Sequence, residues 1–194
     1  DGSLPIVVAS VVAVAQKTLD RGLFVSNTHT LKRDQQIDLE ELLDQWRRMG
    51  YQFESGVYAP GFVSRRGGIL DIFPVGSPLP ARIELWGNDI ESIRLFDPSS
   101  QRSTEAVDSI DVIPAQETLP AMTDRDRLDN LMAYIDVSNC TKAAQERIRE
   151  EFTLLLDGHE IEDVNLYAGF FNHGTLLDYF PDDGLLVMYC PSDI

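Results

Sequence analysis

The chain has 194 residues, of which 43% are apolar and 25% are charged, a composition that fits one medium globular domain or two small ones. That composition excludes a collagen, a low-complexity tail and a membrane bundle. The 16 basic and 32 acidic residues give a net charge of −16. A chain this acidic repels phosphate backbones, so we do not expect it to bind DNA or RNA non-specifically.

The charge is unevenly distributed. Residues 1–97 hold 10 basic and 13 acidic residues, whereas residues 98–194 hold 6 and 19. The arginines therefore concentrate in the near-neutral half, which leaves open a local basic patch on an otherwise acidic protein. The two cysteines, Cys140 and Cys190, are too few for a disulfide scaffold or a zinc knuckle, and a reducing cytoplasm is the expected compartment.

The first residues form the longest apolar run of the chain, Leu4–Ala15, which is too short to span a bilayer and lacks the basic start of a signal peptide. We interpret Pro5–Ala9 as a buried strand and Val11–Thr18 as a helix. Because a buried strand needs neighbours on both sides and nothing precedes this one, we expect the chain to be a piece of a larger protein. Phe24–Leu31 alternates weakly and is predicted as a further strand.

The next segment carries the clearest helix signal. Asp38 is a suitable N-cap, with Glu41 three residues later to complete a capping box, and Gly50 ends the helix. The apolar residues that share one helical face are Leu39, Leu42, Leu43, Trp46 and Met49.

From Tyr51 onward, short β-rich runs alternate with turn residues at intervals of about ten residues, a spacing typical of an antiparallel meander. Such a meander can leave one face exposed to solvent. The predicted strands are Gly56–Val63, Gly68–Pro74, Arg82–Trp86, Ile90–Phe96 and Ile110–Ile113.

The second half is predicted to be mainly helical. Helices are expected at Arg125–Ile135, Thr141–Leu156 and, as one short turn, Thr175–Tyr179. Pro181–Gly184 is predicted as a turn and Leu185–Tyr189 as a final buried strand.

These elements predict a fold of class α/β plus α+β. Residues 1–22 and 116–194 are expected to share one α/β layer. Residues 23–115 are expected to form an inserted antiparallel β domain that carries a helix.

The sequence lacks several catalytic signatures. Arg65–Gly68 is not a phosphate-binding loop, because no Gly-Lys-Ser/Thr follows it. His29, His159 and His173 stand in unrelated contexts and no Gly-x-Ser-x-Gly motif occurs, so no nucleophilic triad can be argued. A surface or structural role is the simpler interpretation of each histidine.

One sheet face is a candidate docking surface. Period-2 alternation puts Arg82, Glu84 and Trp86 on one face and the two intervening apolar residues on the other. Arg66 precedes two glycines in the neighbouring strand. Arginines and aromatics dominate protein-binding hot spots, but the same residues would also suit ordinary cross-strand pairs, and the pattern alone favours the pairs.

The run Arg66–Pro74 resembles the signature of the UvrB-homology region of the bacterial transcription-repair coupling factor (Mfd), and the UvrB excision-repair helicase carries a similar stretch. The resemblance continues through Arg82–Glu84, Asn88–Glu91 and Leu95–Asp97, and it resumes at Gly174–Val187. It covers most of the chain, and the combined motifs are far more specific than any one of them.

The resemblance implies that residues 23–115 are a non-catalytic domain that recruits the UvrA damage-recognition ATPase. The family's interface arginine falls on Arg66, and its Arg-x-Glu pair falls on Arg82 and Glu84. Two further arginines of UvrB are replaced by Ser64 and Phe53.

The edge of the implied interface consists of Phe62, Ser64 and Arg65. Arg65 is a candidate to compensate for Ser64, although alternation points it to the opposite face.

The flanking pieces, residues 1–22 and 116–194, resemble a degenerate RecA-like motor domain. In UvrB the strand corresponding to Leu185–Met188 ends in the Asp-Glu pair that serves Mg²⁺ and water activation. Here it runs into Tyr189 and Cys190, which cannot replace two carboxylates as ligands of a hard cation. The resemblance therefore implies no catalytic, cofactor or metal residue in this chain, with ATP and Mg²⁺ belonging to the parent motor.

In function, the resemblance implies a UvrA-recruiting module of a cytoplasmic protein. The separate motor of that protein, absent here, moves along DNA and displaces stalled RNA polymerase. Two alternatives stay open: a piece of a UvrB-type helicase with active nucleotide chemistry, and a domain that only braces a motor.

Overall fold

The computed structural model describes residues 6–122, 136–156, 159, 161 and 163–189. Its helices are α1 (Val11–Ala15), α2 (Arg21–Asn27), α3 (Leu39–Arg48), α4 (Lys142–Leu156) and α5 (Ala168–Phe171). Its strands are β1 (His29–Lys32), β2 (Gln52–Phe53), β3 (Phe62–Arg66), β4 (Ile69–Ile72), β5 (Ala81–Trp86), β6 (Asp89–Phe96), β7 (Ser103–Ala106) and β8 (Ser109–Val112). Short 3₁₀ turns lie at Pro120–Met122, Val164–Tyr167 and Leu176–Tyr179.

The central sheet has six strands in the order β2-β3-β4-β5-β6-β7. Its strands are antiparallel from β3 to β7, and only the two-residue β2 runs parallel to its neighbour β3. The predicted meander is therefore confirmed in its middle strands. The prediction of a strand over Gly56–Val63 is wrong for most of its length, because β3 begins only at Phe62.

The last predicted meander strand pairs elsewhere. Instead of extending the central sheet, β8 pairs antiparallel with β1, with Leu31 opposite Ile110. Both of these side chains are buried in the main core, so this ribbon closes one side of it. The local pattern of β8 predicts a strand correctly, but its partner lies nearly 80 residues earlier in the chain and leaves no local signal.

The main core lies between α3 and one face of the central sheet. The predicted cap of α3 is confirmed, since the backbone N–H of Glu41 donates to the side chain of Asp38 at 3.1 Å. The helix buries Leu42, Leu43 and Trp46. On the sheet side, the buried residues of this core are Val63, Leu70, Ile72, Ala81, Ile83, Ile90 and Ile93.

Among the described residues, the opposite face of the sheet is covered at one end only. Val57, Phe73 and Phe96 form a small second core there, with Phe62 packed against it. The other end of this face, beside the hairpin turns of β3–β4 and β5–β6, stays exposed. The sheet is therefore buried on one side and half open on the other.

The strands predicted in the two terminal apolar runs are wrong, whereas the helix predicted at Val11–Thr18 is confirmed over Val11–Ala15. Pro5 lies outside the described residues, residues 6–9 form no strand, and Ile6 and Val8 are exposed. Leu185–Tyr189 is likewise an exposed segment without strand structure. A strand forms only when a neighbour satisfies its backbone groups, and neither run pairs with a strand within the described part of the chain.

The strand predicted at Phe24–Leu31 is also corrected. Asp20 caps α2 by accepting the backbone N–H of Gly22 at 2.8 Å, so the chain is helical as far as Asn27. Strand β1 begins only at His29.

The first and last described segments pack against each other. Thr18 pairs with Gly174 as an isolated β-bridge, and the Tyr179 hydroxyl donates to the carbonyl oxygen of Leu19 at 2.8 Å. The rings of Phe24 and Tyr179 meet edge to face at 5.8 Å. The described residues of these segments form no parallel sheet, so a RecA-like layer stays a prediction.

The helical half has its own small core. The predicted helix at Thr141–Leu156 is confirmed as α4, which packs Phe152 and Leu155 against Tyr167 and Phe171. The helix predicted at Arg125–Ile135 lies outside the described residues. None of the helices that the structure describes is long and apolar enough to cross a membrane.

His29 has a structural role at the start of β1. Its Nε2 accepts a hydrogen bond from the Trp46 indole N–H at 3.1 Å, and the two rings lie within 17° of parallel with their centres 6.4 Å apart. Since the indole can only donate, the proton of the neutral imidazole sits on Nδ1, which lies 3.3 Å from the carbonyl oxygen of Asn27. Burial lowers the pKa of His29 below 6.5, and the hydrogen bond to Asn27 opposes that shift only in part.

The lowered pKa of His29 predicts a loss of stability in acid. Because the unfolded chain takes up the proton more readily, the free energy of unfolding falls as the pH drops from about 6.5 toward the lowered pKa. Urea unfolding of the wild type and of His29→Gln at pH 8 and pH 5.5 measures this effect. Because carboxylate titration acts on both proteins, the difference between them isolates the contribution of His29. An equal loss of stability in both proteins would contradict the prediction.

The β3–β4 hairpin gives a second prediction. A Cβ at Gly68 would lie 2.9 Å from the Leu85 carbonyl oxygen, a backbone atom that cannot move aside freely. We expect Gly68→Ala to lower the free energy of unfolding by about 1–3 kcal/mol. At Gly67, φ is +61° and no heavy atom lies within 4 Å, so Gly67→Asn should cost about 1 kcal/mol or less. Equal losses in the two variants would refute the steric argument.

Candidate protein-docking surface

The half-open face of the central sheet holds most of the candidate residues. Strand register aligns Ser64, Asp71, Arg82 and Arg94 in one row across β3, β4, β5 and β6. The buried Ile83 lies between Arg82 and Glu84 on the core face, as alternation predicts. The docking face is defined here as the exposed side of this sheet around Arg66, Ile69, Arg82, Glu84 and Trp86.

A buried ion pair lies at the centre of the docking face. The Asp71 side chain is only 2% exposed, and its two oxygens accept from Arg82 Nε at 2.8 Å and from Arg82 Nη2 at 2.9 Å. This is the bidentate geometry in which a guanidinium fits a carboxylate best. The hydrogen bonds to Asp71 raise the pKa of Arg82 above its ordinary value.

Arg82 is therefore less available than the sequence suggests. Its side chain is 20% exposed, and its guanidinium carbon lies 4.9 Å from the ring centre of Phe96. Arg66 differs, since its side chain is 60% exposed and its Nη2 lies 3.5 Å from the nearer Asp71 oxygen. Of these two arginines, Arg66 is the one with free donors facing solvent.

Glu84 also has partners within the sheet. It accepts a hydrogen bond from the Ser92 hydroxyl at 2.6 Å, and Arg94 Nη2 lies 3.9 Å from the same oxygen. The Glu84 side chain is partly exposed, so it keeps acceptor capacity for a partner. The sequence allowed either ordinary cross-strand pairs or a docking surface, and the contacts of Glu84 within the sheet are pairs of the first kind.

Exposed apolar side chains complete the docking face at its hairpin end. Trp86 is 79% exposed and Ile69 is 38% exposed. Ile69 lies opposite Arg66 on one side and Glu84 on the other in the strand register. Tryptophan and arginine are both enriched in protein-binding hot spots.

Two other predicted residues lie on this face but are not free surface. Ser64 is 3% exposed, and Phe62 packs against the small core of Val57, Phe73 and Phe96. Both therefore support the docking face from within the fold.

The structure places the last two predicted residues on the opposite face. Arg65 Nη1 contacts Glu40 of α3 at 2.8 Å. Phe53 lies under the guanidinium of Arg47, 4.5 Å from the ring centre, and packs on the main core. Arg65 thus lies on the face opposite Arg66, as alternation along β3 predicts, and Phe53 of β2 also lies on the α3 side of the sheet.

Sequence reasoning missed Asp71, Ile69 and the degree to which Trp86 is exposed. A signal for Asp71 was present, since a single carboxylate interrupts the apolar run of β4. A charge in such a run must find a partner on the same face. Ile69 and Trp86 lie beyond the end of the aromatic cluster that covers this face. The sequence carries no signal that predicts this position.

Other places in the molecule are less suited to be the site. A groove of about 980 Å³ lies beside the end of α3 and is lined by residues of mixed character, among them Arg47, Arg48, Glu54 and Glu117. No group of three or more His, Cys, Asp and Glu side chains with metal-binding geometry occurs within the described ranges. Tyr189 is exposed and Cys190 lies outside the described residues, so their comparison with a magnesium-binding pair stays a prediction.

Comparison with known proteins identifies the segment that carries the docking face. Residues 30–117 match the family profile of the UvrB interaction domain. Transcription-repair-coupling factors from three bacteria are similar to the chain. The Bacillus subtilis protein is 30% identical over 97% of this chain, the Myxococcus xanthus protein 34% over 92%, and the Escherichia coli protein 31% over 58%.

The chain spans only 17%, 15% and 10% of the lengths of these three relatives. Residues 30–117 belong to the UvrB interaction domain family, and the chain is a homologue of one segment of the transcription-repair-coupling factors.

Proposed function

We propose that this chain is a non-catalytic docking module that recruits a UvrA-type damage-recognition ATPase to a transcription-repair-coupling factor. The observation that carries the proposal is the docking face itself. Within the UvrB interaction domain, an exposed arginine contacts a buried bidentate ion pair, and an exposed tryptophan lies further along the strand that holds Arg82.

The chemistry of the docking face suits a protein partner. Arg66 offers guanidinium donors to a carboxylate, and Trp86 and Ile69 offer apolar area to a cavity. These side chains project from paired β-strands, so the backbone loses little conformational freedom when a partner binds.

The other activities that the proposal implies belong to the parent protein. We assign ATP hydrolysis with Mg²⁺, movement on DNA and contact with RNA polymerase to parts of that protein outside this chain, and we place its action in the cytoplasm. The terminal segments, residues 1–22 and 116–194, would then be remnants of a degenerate RecA-like layer. The contact between Thr18 and Gly174 supports a common layer.

A bracing role is the second candidate function. The internal pairing of Arg82 with Asp71, and of Glu84 with Ser92, favours it, since these groups are engaged without a partner. The two functions separate at Arg66 and Trp86, because the docking proposal requires both side chains for UvrA binding and the bracing role does not.

A test of the docking function compares two adjacent arginines. Replacing Arg66 by Ala should weaken binding to purified UvrA by about 30-fold, because hot-spot arginines contribute about 2 kcal/mol or more. Arg65→Ala is the matched control, since it removes the same side chain from the opposite face and should leave the Kd within about twofold. Isothermal titration calorimetry measures both.

A second substitution tests the apolar part of the docking face. Trp86→Ala should also weaken UvrA binding by about 30-fold or more, with little loss of fold stability because the indole is exposed. Unchanged affinity in both Arg66→Ala and Trp86→Ala, with the wild type binding, would move the interface to another surface. Absence of binding by the wild type would favour the bracing role.

The proposal also predicts that the chain does not turn over ATP. A phosphate-release assay with Mg²⁺-ATP should give the same rate with the protein as in its absence. Turnover that is lost in a Tyr189→Ala variant would instead support the UvrB-type helicase alternative.

A further inference from the structure

We propose that Asp71 is the positioning residue of the docking face. It holds in place the arginines that contact the partner, and it does not contact the partner itself. This inference rests on the proposed docking function and assigns Asp71 and Arg82 a role different from that of Arg66. The evidence for this inference is the set of contacts that the Asp71 carboxylate makes with Arg82 and Arg66.

Burial removes Asp71 from direct contact with a partner. With 2% of its side chain exposed, its carboxylate is covered by the neighbouring strands. A buried carboxylate is tolerated only when charged and hydrogen-bonding partners compensate for its lost hydration. Both oxygens receive that compensation from Arg82, and Arg66 supplies a further, longer contact.

These contacts restrict Arg82 on two sides. The carboxylate holds its Nε and Nη2, and the Phe96 ring lies against its guanidinium. Arg82 therefore presents one fixed edge toward the docking face. Arg66 reaches the same carboxylate with one Nη atom only, which sets the direction of its head while its remaining donors face solvent.

Positioning and simple charge recognition predict opposite effects when the charge on Asp71 is removed. If the partner recognised only positive charge, deleting a nearby carboxylate would strengthen its attraction to Arg66 and Arg82. If the partner needs the arginines in fixed places, the same deletion lets both side chains rotate freely and weakens binding. The sign of the change therefore distinguishes the two cases.

The test uses Asp71→Asn in the 194-residue chain, titrated with purified UvrA at constant salt. We expect the Kd to rise by about tenfold or more, with the circular dichroism spectrum unchanged. Asp44→Asn is the matched control, because it removes the same charge from the exposed side of α3, and its Kd should stay within about twofold. A Kd that is unchanged or lower in Asp71→Asn would overturn the proposal.

Arg82→Lys serves as a second variant if Asp71→Asn folds poorly. Lysine keeps the charge but cannot form the two-point contact, so we expect the Kd to rise by about tenfold at unchanged net charge. Full binding by Arg82→Lys would overturn the positioning role.

A measurement without the partner separates this proposal from the docking function. In nitrogen-15 spectra, the Arg82 Nε–H signal should exchange slowly with water in the wild type and rapidly in Asp71→Asn. Equally rapid exchange in both proteins would show that Asp71 does not fix Arg82. Absence of UvrA binding by the wild type would overturn the docking function, whereas this spectrum would still decide whether Asp71 holds Arg82.

Discussion

The organisation of the docking face depends on one interaction, the bidentate hydrogen bonding of Arg82 to the buried carboxylate of Asp71. A charge placed in the middle of an apolar strand would destabilise the sheet unless an opposite charge came from the adjacent strand on the same face. Arg82 meets that requirement, and the Phe96 ring covers its guanidinium from the other side. The ion pair thereby joins β4 to β5 and forms the boundary between the covered and open halves of the face.

The two sides of the sheet follow from this arrangement. One side needs α3 because its strands present a mostly apolar surface to the main core. Within the described part of the chain, the cluster of Val57, Phe73 and Phe96 covers one end of the other side, and beyond the ion pair the strands end in two-residue turns that contain Gly67 and Gly87. Side chains at that end must face solvent or a partner. Trp86 and Ile69 are both exposed at that end, and tryptophan is enriched in protein-binding hot spots.

Local signals predicted part of this structure well. The capping by Asp38 and the apolar face of α3 depend on residues within one helix, and the middle strands follow from alternation and turn residues. The predictions failed where the deciding contact was distant. Apolar character alone could not decide whether Leu185–Tyr189 would find a neighbouring strand, and nothing in β8 indicated its partner. At the site, alternation gave the correct face for Arg82, but its availability depended on Asp71, which lies in a different strand.

The net charge of −16 adds a constraint on how a partner is recognised. A partner that presents a carboxylate to Arg66 approaches a molecule whose overall field is unfavourable to it, so long-range attraction contributes little to the encounter. Recognition must then depend on contacts made within a few ångströms, where one guanidinium of fixed direction and one aromatic ring of fixed place can outweigh the distant acidic residues. In such an interface geometry matters more than the amount of positive charge. A buried acid beside the contact arginine is then compatible with binding, because the order it imposes on the arginines offsets the positive potential it removes.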